Sequence, residues 1–127
     1  VGKLQIDRNP YAAIALTTDT SAITAIGNDY GFEYIFSRQI EAIGHGGDIA
    51  IGLSTSGNSS NVLEGLMAAQ HKGLRTWMLT GVNSAEDTGY FTSIRVPGYS
   101  PSRIQEMHII LGHILVAEIE ERMSWLK

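Results

Sequence analysis

Short apolar runs alternate along this chain with longer stretches whose apolar residues recur at helical spacing. Tyr11-Ala-Ala-Ile-Ala-Leu16, entered through Asn9-Pro10, reads as a buried strand. The polar turn 17–21 follows, with Thr20 or Ser21 as the cap of a short helix ending near Ile26. Gly27-Asn28-Asp29-Tyr30-Gly31 has the chemistry of a break. From about Phe32 to Ile43 the residues Ile35, Phe36, Ile40 and Ile43 form an apolar stripe, stopped by Gly44-His45-Gly46-Gly47. Ile49–Leu53 reads as a strand, 60–72 as a helix ended by Gly73, 74–80 as a strand and Thr92–Val96 as a last strand closed by Pro97-Gly98. The final helix runs from about Ser102 to Trp125, with Ile104, His108, Leu111, Leu115 and Ile119 along one side. Strands alternating with helices predict one α/β domain, a parallel sheet with helices on both faces. In such sheets ligands sit beyond the C-terminal strand ends, where the polar segments 17–21, 54–59 and 80–84 fall.

The segment Asp48-Ile-Ala-Ile-Gly-Leu-Ser-Thr-Ser-Gly-Asn-Ser-Ser-Asn61 carries the clearest chemistry. A strand ends in a hydroxyl-rich turn that opens a helix. Free N–H groups and the helix dipole attract anions there, and Ser54, Thr55, Ser56 and Ser59 add side-chain donors. Gly57 lets the backbone approach a ligand. No Lys follows it, so this is not a nucleotide P-loop, and the pattern suits a small phosphate monoester. The plainer alternative is a loop whose Ser60 or Asn61 only caps the helix, with Glu64 completing a capping box.

Composition narrows the classes. The 127 residues with 43% hydrophobic content are enough for one core. No run of apolar residues is long enough to span a membrane. The net charge of −4, without blocks of like charge, offers nothing to nucleic acid or to an anionic membrane. Cysteine is absent, which excludes thiolate metal sites and fits a cytoplasmic location. The chain opens on Val1-Gly2-Lys3-Leu4, as if inside a domain.

Five motifs occur in order: Gly27-Asn28-Asp29-x-Gly31-Phe32, Ser54-Thr-Ser-Gly-Asn-Ser59, Thr80-Gly81, Ile94-Arg95-Val96-Pro97 and Arg103-Ile104-Gln105-Glu106-x-His108. Together they resemble the sugar-isomerase (SIS) domain of phosphoheptose isomerases, over nearly the whole chain. The resemblance implies a three-layer α/β/α SIS domain with a mainly parallel, flavodoxin-like sheet, here truncated and lacking the first helix and first strand. It implies a homotetramer and a zinc-dependent aldose–ketose isomerisation of sedoheptulose 7-phosphate to D-glycero-D-manno-heptose 7-phosphate, feeding lipopolysaccharide or other heptosylated glycans. By the same resemblance the serine loop holds the substrate phosphate through Ser54, Thr55, Ser56 and Ser59. Asn28 and Asp29 contact the sugar, Gln105 contacts substrate or metal, and Gln105 and His113 are zinc ligands, with His113 also a candidate catalytic acid/base. The His and Glu expected to complete the metal site are missing, and Ser102 stands where the family often has Asp.

Each residue has a second reading. Gln105 can complete a capping box with Ser102, Gln is a poor zinc ligand, His113 can pack on a helix face and Asp29 can make an Asx turn. His45 reads as a solvated turn residue, His71 as a helix-end residue, His108 as structural and Trp77 as packing. The competing function is a catalytically inactive SIS regulator that binds a sugar phosphate, or an initiator-associating adaptor. The family sheet places its first strand between 12–16 and 49–53. Neighbouring strands lie about 4.8 Å apart, so those two cannot pair across an empty slot. The expectation is a strand supplied from outside the sequence, another chain in the slot, or a rearranged sheet.

Overall fold

The computed structural model describes residues 1–82, 84 and 89–124. Its elements are α1 (Thr20–Asp29), a 3-10 turn (Phe32–Tyr34), α2 (Ser37–Ile43), β1 (Ile49–Leu53), α3 (Ser60–His71), β2 (Arg75–Gly81), β3 (Thr92–Val96) and α4 (Pro101–Ser124). The strands form one sheet in the order β1-β2-β3 with both pairings parallel, and Leu53 faces Leu79 while Thr80 faces Arg95. Parallel neighbours need a crossover, and α3 supplies it between β1 and β2.

The core lies between the sheet and α2–α3. Ile40, Ala69 and Leu74 form one cluster, Leu66, Met78 and Phe91 another. Gly52 makes the close approach possible: a Cβ there would stand 2.7 Å from Val62 Cγ1 and 3.0 Å from Leu66 Cδ1. On the opposite face Leu79 and Val96 are buried, but Ile49, Ile51, Leu53, Trp77 and Ile94 are exposed. Cover on that face is thus uneven, and Trp77 is only partly packed.

Residues 11–16 do not form the expected strand. They lie extended across a groove of about 800 Å³ from β1, with Ala12–Leu16 on one side and Ile49–Leu53 on the other. A strand exists by its ladder, and across that groove there is no partner within bonding distance. Leu16 ties the segment to α2: its carbonyl accepts from Gln39 Nε2 at 3.0 Å, and its side chain packs on the Ile40 cluster. Direct pairing of 12–16 with β1 does not occur.

Other boundaries move for local reasons. Asp19, not Thr20 or Ser21, caps α1, accepting from the Ala22 N–H at 3.0 Å. The helix then runs through Gly27, Asn28 and Asp29 instead of breaking there; the break comes at Gly31, with φ +112°. The expected helix 32–43 divides into the 3-10 turn and α2. Ser102 lies inside α4 and meets Ser100 Oγ, so it builds no capping box with Gln105. Trp125 lies outside the described residues, as do 83 and 85–88 between β2 and β3.

The N-terminal segment is held by one residue of α4. Glu120, 1% exposed, accepts the N–H groups of Leu4, Gln5 and Ile6 at 2.8–3.1 Å and pairs with Arg8 Nε at 3.0 Å. The Leu4 and Gln5 N–H bonds dominate, joined by Ile6 and Arg8 and opposed by burial. Together they pull its carboxyl from 4.5 to about 2. A depressed carboxylate contributes stability that is complete above its unfolded pKa and lost as pH falls through the folded one. Between pH 4.5 and about 2 the amides of Leu4, Gln5 and Ile6 should therefore lose exchange protection. The stability gap between wild type and Glu120→Gln should be present at pH 7 and close over the same window. A gap independent of pH, measured by urea unfolding, would contradict this account.

Candidate functional site: an anion loop at the end of the sheet

β1 leaves the sheet at Leu53, and the next residue begins the loop. The Ser54 N–H still reaches the Leu79 carbonyl at 3.0 Å, as one more rung of the ladder. Two residues later β2 returns the contact, the Gly81 N–H donating to the Thr55 carbonyl at 3.2 Å. The loop is thereby tied to the C-terminal end of β2 on both sides of Thr80. At its apex Gly57 adopts φ +71°, where side chains are strained, and a Cβ there would meet Thr80 Oγ1 at 3.0 Å and Ser84 Cβ at 2.5 Å.

The hydroxyl groups converge on the N-terminus of α3. Ser54, 5% exposed, shares a 2.9 Å hydrogen bond with Ser59 across the loop. Ser56 Oγ accepts the Asn58 N–H at 3.2 Å, and the Gly57 N–H donates to the Ser54 carbonyl at 3.1 Å. Ser59 is the N-cap, yet its side chain makes no cap bond to the helix because it faces Ser54. Ser60 and Asn61 do not cap α3; Asn61 Oδ1 accepts from the adjacent Val62 N–H at 2.9 Å. With the cap hydroxyl turned aside, the positive end of a 12-residue helix faces the loop without a side-chain cap. Beneath the loop Thr80 is fully buried, and its hydroxyl has no partner among the described residues.

The remaining sequence-derived candidates lie elsewhere. Asn28 and Asp29 are exposed at the C-terminal end of α1 and bonded to each other, Asn28 Nδ2 donating to Asp29 Oδ1 at 2.7 Å. Gln105 and His113 are exposed on α4. Arg103 pairs with Glu106 at 2.7 Å. His108 is buried, as a structural residue should be, with Nε2 unpartnered. Among the described residues no hydrogen bond joins the serine loop to Asn28, Asp29, Gln105 or His113.

Zinc can be tested against this donor set. Gln105 and His113 are eight residues apart on one continuous helix, about 12 Å along its axis. Metal bonds are only about 2 Å long. Among the described residues there is no group of three His, Cys, Asp or Glu that could hold a metal. The described residues of the single chain therefore do not form a zinc site.

Neither Glu120, which anchors the N-terminal segment, nor the individual hydroxyls of Thr80 and Ser84 are singled out by the sequence reading. Glu120 has partners more than a hundred residues away and no local signal. Thr80 and Ser84 do carry one: Thr80 is the penultimate residue of β2 and Ser84 follows its end, where α/β sheets bind ligands.

Comparison with known proteins agrees with this architecture. The SIS domain family profile matches residues 1–81. The phosphoheptose isomerase of Aquifex aeolicus is 53% identical over 123 residues, covering 95% of this chain and 64% of that protein. That of Sulfurimonas denitrificans is 47% identical over 124 residues, covering 97% and 64%. Among solved structures, a phosphoheptose isomerase from Neisseria gonorrhoeae superposes with a TM-score of 0.81 at 46% identity, over 87% of this chain and 62% of that one. One from Francisella tularensis gives 0.86 at 36% identity, over 94% and 65%. The chain thus spans just under two thirds of the length of these relatives. A parallel sheet that ends in a serine loop on a helix N-terminus, together with a profile match over more than half of the residues, places the chain in the SIS domain family.

Proposed function

We propose that the protein carrying this chain is a phosphoheptose isomerase, converting sedoheptulose 7-phosphate to D-glycero-D-manno-heptose 7-phosphate. The observation that carries the reading is the serine loop itself. Its hydroxyls are preorganised at a helix N-terminus, in a chain 53% identical to a phosphoheptose isomerase. The 7-phosphate would displace the internal bonds of Ser54, Ser56 and Ser59, and Thr55 would add its hydroxyl. No Lys or Arg lies within residues 54–61, which suits neutral donors and a mobile monoester.

Isomerisation moves a proton between neighbouring carbons through an enediol, so it needs an acid/base group and stabilisation of a developing oxyanion. His113 is our candidate for the proton transfer, Asn28 and Asp29 for the sugar hydroxyls, and Gln105 for a second polar contact. Zinc would supply Lewis acidity. Gln105 and His113 are the donors this chain would offer it, and no step is assigned to the metal because one chain does not assemble them.

The surface of α4 supports the same reading. Ile109, Ile110, Ile114, Leu115 and Ile119 are large exposed apolar residues on α4, a surface suited to other copies of the chain. We infer a homotetramer in which Gln105 of one copy approaches His113 of another. No described helix is long and apolar enough to cross a membrane, and the charge pattern gives nucleic acid no footing. A cytoplasmic place and a role in heptose supply for lipopolysaccharide belong to the proposal.

Ser54→Ala or Ser56→Ala should weaken sugar-phosphate binding by about 1–2 kcal/mol, the worth of one hydrogen bond to a charged group. Unchanged affinity in both variants, read by calorimetry, would remove the loop from the phosphate site. His113→Ala should lower turnover of sedoheptulose 7-phosphate roughly a hundredfold or more. Full activity in that variant would end the acid/base role. Binding without turnover in the wild type would favour a regulator. Mixing inactive Gln105→Ala and His113→Ala subunits should restore part of the activity; none, despite proven subunit exchange, would argue against a shared site.

A further inference from the structure

The anion loop rests on a rear wall built by β2 and β3, and the middle of that wall is chemically idle. Thr80 is 0% exposed, and its Oγ1 has no hydrogen-bond partner among the described residues. A buried hydroxyl left unpaired destabilises the fold, so a hydroxyl here calls for a role. Its oxygen points at the loop apex, 3.0 Å from where a Cβ on Gly57 would stand. Bonds from β2 to the loop flank it on both sides, through Leu79 and Gly81. Ser84 completes the wall, its N–H donating to the Gly81 carbonyl at 3.2 Å and its hydroxyl accepting from Arg95 Nε at 3.2 Å. Arg95 thus braces the wall from β3.

Above this wall the loop satisfies itself. The Gly57 N–H is spent on the Ser54 carbonyl, and the Asn58 N–H on Ser56 Oγ. An anion at the N-terminus of α3 competes for these donors. When it takes the Gly57 N–H, the Ser54 carbonyl loses its partner at the buried end of the loop, and a new donor is needed on that side. Thr80 is a donor beside the apex with no other partner among the described residues.

We propose that Thr80 is a positioning residue of the anion loop, whose hydroxyl donates to a loop carbonyl when bound phosphate draws the Gly57 N–H away from Ser54. The proposal rests on the phosphate-loop reading above and adds to it. Thr80 does not touch the phosphate; it stabilises the loop conformation that does.

The test is phosphate affinity in the protein that carries this chain, by calorimetry with inorganic phosphate and then with sedoheptulose 7-phosphate. Thr80→Val should bind each about fivefold to tenfold more weakly, the equivalent of one hydrogen bond. Its melting temperature without ligand should equal or exceed that of wild type, because valine removes the unpaired hydroxyl. Thr80→Ser should restore the affinity, and in turnover Thr80→Val should raise KM with kcat held. A merely structural threonine would, on replacement, lower the melting temperature and leave affinity unchanged. If Thr80→Val binds like wild type while Ser54→Ala binds more weakly, the role of Thr80 is overturned and the loop reading stands. If wild type binds no phosphate, both are overturned. Independently of any variant, saturating phosphate should shift the Gly57 amide and Thr80 side-chain resonances of wild type together. A Thr80 signal unmoved at saturation overturns the proposal.

Discussion

The parallel ladder between β1 and β2 is the constraint on which the rest depends. It sets Leu53 beside Leu79, so β1 ends two residues before β2 does, and the loop that follows β1 runs beside Thr80 and Gly81. The chain leaving β1 must turn at once into α3, because a parallel partner is reached only by a crossover. Gly52 allows α3 to lie close against the sheet, with Val62 and Leu66 over the strand. The first turn of α3, the end of β1 and the end of β2 therefore meet at one point. Ser54, Gly57 and Thr80 lie there because the ladder leaves them no other place.

Where local chemistry decides the structure, it is legible in the sequence. Strands 49–53 and 92–96 have the bounds their apolar runs indicate, and α3 is displaced by one residue at its end. Gly73, with φ +79°, follows α3 where a glycine stop belongs. Residues 11–16 have as strong a strand composition as β1 but no ladder partner, and composition cannot supply one. At 27–29 turn-forming residues lose to helix continuation. Asp19 has already capped α1, and the N–H groups of Tyr30 and Gly31 close its last turn on Ile26.

The same division runs through the candidate site. A hydroxyl cluster after a strand is a local signal, and the hydroxyls do converge. Glu120 is the opposite case. In sequence it is one acidic residue among Glu118 and Glu121 near a helix end; in the fold it is a buried anion held by three consecutive N–H groups. Helical periodicity misleads here as well. Ile104 and His108 face inward as their stripe indicates, but Leu115 and Ile119 on the same stripe are exposed while Glu120, off it, is buried. The stripe assumes one partner for the whole helix. The first half of α4 packs near Gly81 and Gly98, and its far end packs on residues 4–8.

These placements separate binding from chemistry. Every described group of the serine loop and its wall comes from β1, α3, β2 and β3 or the segments that join them. The polar groups proposed for proton transfer and metal binding are exposed on α4, about 12 Å apart along a straight helix. A reaction that uses both must bring other surfaces to that helix. The apolar residues exposed along α4 have the character of a surface meant to be covered. In the proposed enzyme, phosphate affinity would then be a property of the folded chain, whereas turnover would depend on assembly. Dilution would abolish turnover before it weakened phosphate binding.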